Sequence, residues 1–465
     1  MSHLPSSNKI AHAAPVKSRR TPSPRRLAVY ALLFVGLLAI VGTVLLWGIG
    51  DALLNGYGKS RMERAFAAAR PGYVLQIGQL EFAIGANHLV AQDITVEGTN
   101  SLLRIGRLSL TGVRWARLLP NAPHLARVLA ASTLEATEIE AEFPRSQYRW
   151  RWDRLVASVP GSELTATGGE LRPLAGDEEF FAQDEFRRTR FRVAIPEIAV
   201  SGLAYEPGLD GLSYRAKSVH ISDVSLAALV NRDKPLRPFL KSPLMAHEAL
   251  ATIPLPLAVD RLSITNGHLT YSERVLATAD PGVLTFGAIH LAVENLANRG
   301  EAGAAIRLDG QAAFLNSGIL KVQLTIPIAP ADFSLRYSGS LSGMDLTALN
   351  AYTEPVEHIR IRSGSTDDLA FEVEVDAGHA RGWVRVPYGN LSVALLDPDT
   401  GSAGRVDNLV VSFLANLLKV RTANAPDATG SIREGVIDYT RTPEVEFLEF
   451  LWLALWTGFE DVISH

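Results

Sequence analysis

The sequence predicts a mainly β protein, a long one-sided sheet with one N-terminal transmembrane helix and a C-terminal amphipathic helix. Three observations predict it. Apolar and polar residues alternate with period two over most of residues 73–440. An uncharged run of 23 residues, Leu27 to Ile49, lies near the N-terminus. The last segment, Glu446 to Ile463, changes to helical spacing.

Residues 1–26 are rich in Ser, Pro and basic side chains and read as a disordered cytoplasmic tail. Residues 27–49 follow as a signal anchor. As a helix this run is roughly 34 Å long, enough for a hydrocarbon core of about 30 Å. Lys9, Lys17, Arg19, Arg20, Arg25 and Arg26 precede it, and no acidic residue occurs before Asp51. The positive-inside rule then keeps the N-terminus cytoplasmic and puts everything after residue 50 on the far side of the membrane. A cleaved signal peptide is the weaker reading, because "WGIGDALLNG" offers no A-x-A site and the run exceeds an ordinary signal core.

Residues 50–72 read as a juxtamembrane helix stopped by Pro71-Gly72. Two β-rich regions follow, 73–245 and 246–440, with segments such as "VLQIGQLEF", "LLRIGRLSLTGV" and "LAFEVEVDAG". The polar, Gly-rich stretch Ala157 to Arg190 reads as a long exposed loop, and "NRDKPLRPFLKSP" as a linker. Helical signals are confined to Trp115–Ala131, Leu346–Tyr352 and the C-terminal segment 441–465.

Two weak repeats run through the strands. Ile264 to Tyr271 and Ile432 to Tyr439 share I-x-[NE]-G-x-[LI]-x-Y, with degenerate versions at Leu134–Ala141 and Ile198–Tyr205. Ile77-Gly-Gln-Leu-Glu-Phe82 also returns as Ile105-Gly-Arg-Leu-Ser-Leu110. In a straight strand Ile264 and Leu269 would face opposite sides. A two-residue turn at Asn266-Gly267 would pair Ile264 with Leu269 and Leu262 with Tyr271, placing all four on one apolar face.

Several chemistries are excluded or unsupported. The chain has no cysteine, so disulfides, thiolate chemistry and Cys-based metal sites are absent. A net charge of −4 gives no footprint for nucleic acid. "HEALA" at His247 begins like a zinc-protease helix but carries Ala251 where a second histidine belongs. "GYGKS" ends like a phosphate loop, yet Leu53 stands at its first glycine position. The acidic residues Glu138, Glu140 and Glu142 read as a solvated strand face. No constellation supports an enzyme, and no cofactor is implied.

The segment "ARPGYVLQIGQLEF" followed by "LLRIGRLSLTG", behind an N-terminal anchor, resembles the start of AsmA-like envelope proteins. Val259 to Asn298 and Gly339 to Val375 are similar to AsmA-like proteins grouped as a domain of unknown function. The resemblance implies an elongated, curved antiparallel sheet, groove-like or taco-like, with an apolar concave face. It further implies an inner-membrane, single-pass protein of cell-envelope biogenesis with the bulk of the chain in the periplasm, similar to bridge-like lipid-transfer proteins. Phospholipid acyl chains are the expected partners, with envelope proteins also possible. About 20 strands at ~4.8 Å would extend on the order of 100 Å.

Leu262, Ile264, Leu269, Tyr271, Ile432, Ile437 and Tyr439 are the candidate lining of a lipid groove. The alternative is a structural or assembly factor that buries the same face against protein. In the C-terminal helix, Phe447, Leu451, Trp452, Leu455, Trp456 and Phe459 form a stripe. That stripe either packs on the end of the sheet or touches membrane or plugs a groove.

Overall fold

A computed structural model describes residues 58–83, 87–113, 130–208, 211–235, 242–253, 255–276, 279–301, 303–328, 332–396 and 422–463. The tail at 1–26, the anchor at 27–49 and nearly all of the predicted helix Trp115–Ala131 lie outside the described residues. Among the described residues, no helix is long and apolar enough to cross a membrane.

The chain is mainly β, as the alternation predicts. Its first meander comprises β1 (Tyr73–Ala83), β2 (His88–Gly98), β3 (Ser101–Thr111), β4 (Thr133–Phe143), β5 (Tyr148–Ser158), β6 (Glu163–Pro173) and β7 (Thr189–Ser201). Then come β8 (Ala204–Gly208), β9 (Gly211–Ser222) and β10 (Ser225–Asn231). The second meander is built from β11 (Leu257–Arg274), β12 (Gly282–Ala297), β13 (Ala305–Phe314), β14 (Gly318–Pro327) and β15 (Leu335–Leu341). It ends in β18 (Leu369–Asp376), β19 (His379–Arg385) and β21 (Glu434–Thr440). These 18 strands form one sheet, while β16 (Met344–Asp345), β17 (Ile359–Thr366) and β20 (Tyr388–Leu395) form a small second one.

The large sheet is mixed, which corrects the expectation of a purely antiparallel array. Both meanders are antiparallel internally, but β9 and β10, lying end to end, each pair parallel with β11. The chain therefore returns the full length of a strand between β10 and β11. That crossover carries the predicted boundary at 245/246 and a helix, Ala246–Ala251.

Another correction concerns residues 157–190, read as a loop. They contain β6, the start of β7 and a short helix, Asp177–Ala182. The glycines that suggested a loop have a packing role instead, because the Trp152 ring lies against Gly169 where a side chain would stand. The predicted helix before Pro71 is present as α1 (Gly58–Ala69). In chain order α2 is Asp177–Ala182 and α3 is Ala246–Ala251. Next, α4 spans Asn350–Glu357, preceded by a 3-10 turn at Leu346–Leu349, and α5 spans Phe447–Ile463.

A helix guards each of the end strands β1 and β21 of the large sheet, while β8, which pairs only with β9, forms a further edge. On α1, Met62 and Phe66 are fully buried, and Glu63 Oε1 accepts the edge N–H of Ile77 at 3.1 Å. On α5, Asp461 Oδ2 accepts the N–H of Val436 at 2.9 Å and Thr457 Oγ1 that of Asp438 at 3.3 Å. These three edge donors, on β1 and β21, are thus satisfied within the chain and cannot recruit another strand.

Candidate functional site

The hairpin expected at Asn266-Gly267 is not formed. Both residues lie inside β11, one continuous strand of 18 residues. Asn266 takes a left-handed φ of 53° and the register with β12 shifts between Ile264 and Gly267. This is a β-bulge, and it solves the same phase problem, since one extra residue returns the alternation to the original face. Leu262, Ile264, Leu269 and Tyr271 do share a face, but their partners lie on neighbouring strands. Leu262 stands between Val219 and Val293, and Ile264 between Ile221 and Leu291. Leu269 stands between Leu226 and Phe286, and Tyr271 between Ala228 and Leu284.

The bulge belongs to a row that crosses the first meander. Gly78 lies opposite Asp93, Asp93 opposite Gly106, and Gly106 opposite Glu138. Glu138 lies opposite Asp153, Asp153 opposite Gly168, and Gly168 opposite Pro196. The row continues through Asp223 to Asn266, joined by Asn266 Nδ2 donating to Asp223 Oδ1 at 2.6 Å. Asp93, Glu138, Gly168, Asp223 and Asn266 all adopt positive φ.

At this row each strand slips phase by one residue. Ile77 and Leu80, Ile105 and Leu108, or Ile139 and Ala136, three apart in sequence, then all point to the apolar side. The glycine of the Ile-Gly-x-Leu repeat has a steric reason. A Cβ on Gly106 would sit 2.5 Å from Glu138 Oε2, which folds across it. On the opposite face are cross-strand ion pairs, including Arg104–Glu140 at 3.2 Å and Arg149–Glu142 at 2.8 Å, with Glu138 exposed. Of the predicted solvated acidic row, Glu140 and Glu142 are paired with Arg104 and Arg149, while Glu138 sits at the phase slip and folds over Gly106.

Coverage of the apolar face varies along the sheet. In the first meander it is a closed core: Ile94, Ile105 and Ile139 are no more than 1% exposed. Around β11 it is half-covered, and Leu262, Ile264, Leu269, Phe286 and Leu291 are all intermediate in exposure. Phe286 and Phe314 extend this stretch onto β13, with ring centroids 5.1 Å apart.

Tyr271 has a further role. Its hydroxyl donates to Glu273 Oε1 at 2.5 Å, and the Tyr352 hydroxyl of α4 donates to Glu273 Oε2 at 2.9 Å. Arg232 pairs with the same carboxylate at 2.9 Å. Burial, reinforced by the Glu273 charge, pushes both phenols well above the usual tyrosine range. The ring of Tyr271 therefore lines the face while its oxygen ties α4 to β11.

The echo at 432–439 has another cause. Ile432 precedes β21 and is half-buried. Ile437 is 1% exposed, and the Tyr439 ring lies 5.6 Å from Phe450 of α5. Here the face is closed by α5, so Ile437 is core and does not line an open surface. Gly435 permits this closure, because a Cβ there would run into the Gly458 carbonyl.

The buried face of α5 differs from the predicted stripe, because apolar residues cover most of the helix and several lines along it would serve. Phe450, Ala454, Gly458 and Val462 form the buried line. Of the predicted stripe, Phe447, Leu451, Leu455 and Phe459 pack at the margins of the core. Trp452 is 53% exposed and does not join them.

Among the described residues, no group of three or more His, Asp or Glu side chains is placed to hold a metal. One cavity of about 500 Å³ lies on the polar side, between Arg172, Arg192 and the small residues Ala194 and Ala227. Both arginines are engaged, by Glu170 and Asp177 respectively. No protein-family model and no curated protein sequence matches the chain.

Proposed function

We propose that the chain is an AsmA-like, inner-membrane-anchored protein of the cell envelope whose half-covered apolar face, from β9 to β13, forms a trough for phospholipid acyl chains. The observation that supports this reading is the unbroken apolar ladder through Val219, Leu262 and Val293, flanked by Ile221, Ile264 and Leu291. Val293 is buried, with Leu262 and Leu291 packed against its core, while Val219, Ile221, Leu262, Ile264 and Leu291 are only part-covered, and a part-covered apolar face favours an apolar partner. An acyl chain needs no hydrogen-bond donors from the wall, and the side chains of this ladder offer none. Anchoring by residues 27–49 would place the trough beside its source of lipid.

The experiment is phospholipid quantification by mass spectrometry on the full chain purified in mild detergent. Wild type should retain phospholipid. Ile264→Asn with Leu269→Asn should retain at least fivefold less while still unfolding cooperatively at a cost of about 2 kcal/mol, and Ile264→Met should behave like wild type. A wild-type chain free of lipid, with another protein held on this face, would replace the trough by the assembly-factor reading.

A further inference from the structure

The two sides of α5 differ in what they meet. Phe450, Ala454 and Val462 are fully buried against the sheet. On the other side Leu448 is 75% exposed and Trp452 53%. The Trp452 ring lies 5.8 Å from Trp456 and 6.1 Å from Phe459, so the exposed indole heads a continuous aromatic surface. Helices of soluble domains place charge at such positions.

We propose that this outward face of α5 docks into the headgroup–acyl boundary of a zwitterionic phospholipid bilayer. Three arguments select this occupant. The first is size: Leu448 and Trp452 together expose on the order of 250 Å², against the ~800 Å² per partner of a stable protein interface. A second copy has too little to hold, whereas shallow insertion of indole and leucine side chains needs no more.

The second argument is charge. No Lys or Arg occurs on α5, which carries Glu449, Glu460 and Asp461 and follows Glu444 and Glu446. Arg433 is engaged by Asp461 at 3.1 Å, and Arg441 donates to the Pro243 carbonyl at 2.7 Å. This acidic rim disfavours an anionic surface and leaves a neutral one. The third argument is chemistry: tryptophan combines an apolar body with one N–H donor and suits the boundary where lipid turns from wet to dry. None of this depends on the trough, which lies on β9 to β13, so either reading can fail alone.

The absence of cysteine gives a clean test. Leu448→Cys, carrying an environment-sensitive nitrobenzoxadiazole label, is reconstituted as the full chain into phosphatidylcholine vesicles with and without a doxyl-labelled phosphatidylcholine quencher. The expected result is at least twofold quenching by the lipid quencher and protection from aqueous iodide. A label at exposed Ala423→Cys should show neither. Adding Trp452→Glu should abolish the quenching without moving the thermal unfolding curve, and phosphatidylglycerol vesicles should quench less.

The proposal is overturned if the Leu448 label stays open to iodide and untouched by the lipid quencher. It is equally overturned if Trp452→Glu leaves quenching intact, or if phosphatidylglycerol quenches as well as phosphatidylcholine. A label response that follows protein density in detergent without lipid would assign the face to a second copy instead.

Discussion

The first meander and the region around β11 share one device and differ in outcome. Both carry an apolar ladder whose phase slips at the same transverse row, yet Ile139 is fully buried while Ile264 is half-covered. The difference teaches that a strand's pattern decides which side is apolar, and coverage decides whether that side becomes core or surface. Above the first meander α1 contributes Met62 and Phe66. Near β11, α4 meets the sheet at the end that carries Glu273 and Gly282.

Truncating one isoleucine in each region gives the sharpest contrast. Ile139→Ala should cost about 3 kcal/mol, the range for a deletion that leaves a cavity, and Ile264→Ala about 1 kcal/mol. Chemical denaturation of the two variants measures this, and equal losses would erase the distinction. A smaller effect is expected where α5 closes the other end. Gly435→Val should push α5 away from β21 at a cost of about 2 kcal/mol, with faster hydrogen exchange at Val436 and Asp438. Unchanged exchange there would show that α5 does not guard the edge.

Tyr271→Phe separates lining from tie. The ring stays on the apolar face while Glu273 loses one donor, so stability should fall by about 1 kcal/mol without loss of any bound lipid. Thermal unfolding beside lipid quantification checks both halves. The least effect concerns the crossover helix α3, where His247 stacks on Phe333 at 5.8 Å. Burial holds its imidazole below the usual histidine value, with Glu248 opposing and Arg441 reinforcing the shift. The unfolded chain thus takes the proton first. The contribution is complete above about pH 6.5 and is lost as pH falls through that value towards the folded one. His247→Phe should flatten that part of a melting profile taken from pH 7.5 to 5.

Much of the fold was legible because period-two alternation is local. The Asn266-Gly267 pair was misread because a hairpin and a bulge repair the same phase error, and only the cross-strand partners separate them. Asn-Gly is also a strong turn signal, and an 18-residue strand is longer than the ordinary 3–10. The likeness between 264–271 and 432–439 joined two unlike causes, a bulge at Gly267 and a helix contact at Gly435. On α5, apolar residues over most of the helix left several lines that could serve as the buried one. The parallel joint was invisible because nothing in β11 records the direction of its neighbour.

That joint has a kinetic consequence. From β1 to β7 and from β11 to β15, neighbouring strands are also neighbours in sequence, so pairing closes short loops and is fast, whereas β18 and β21 join across the intervening strands of the small sheet. The contact of β9 and β10 with β11 requires the crossover at residues 232–256 to close first. The β1–β7 and β11–β15 hairpin series should therefore form independently, and the joint between them should close after both. Under stress they should part along the same seam, each with its own hydrogen bonds intact, before either one melts.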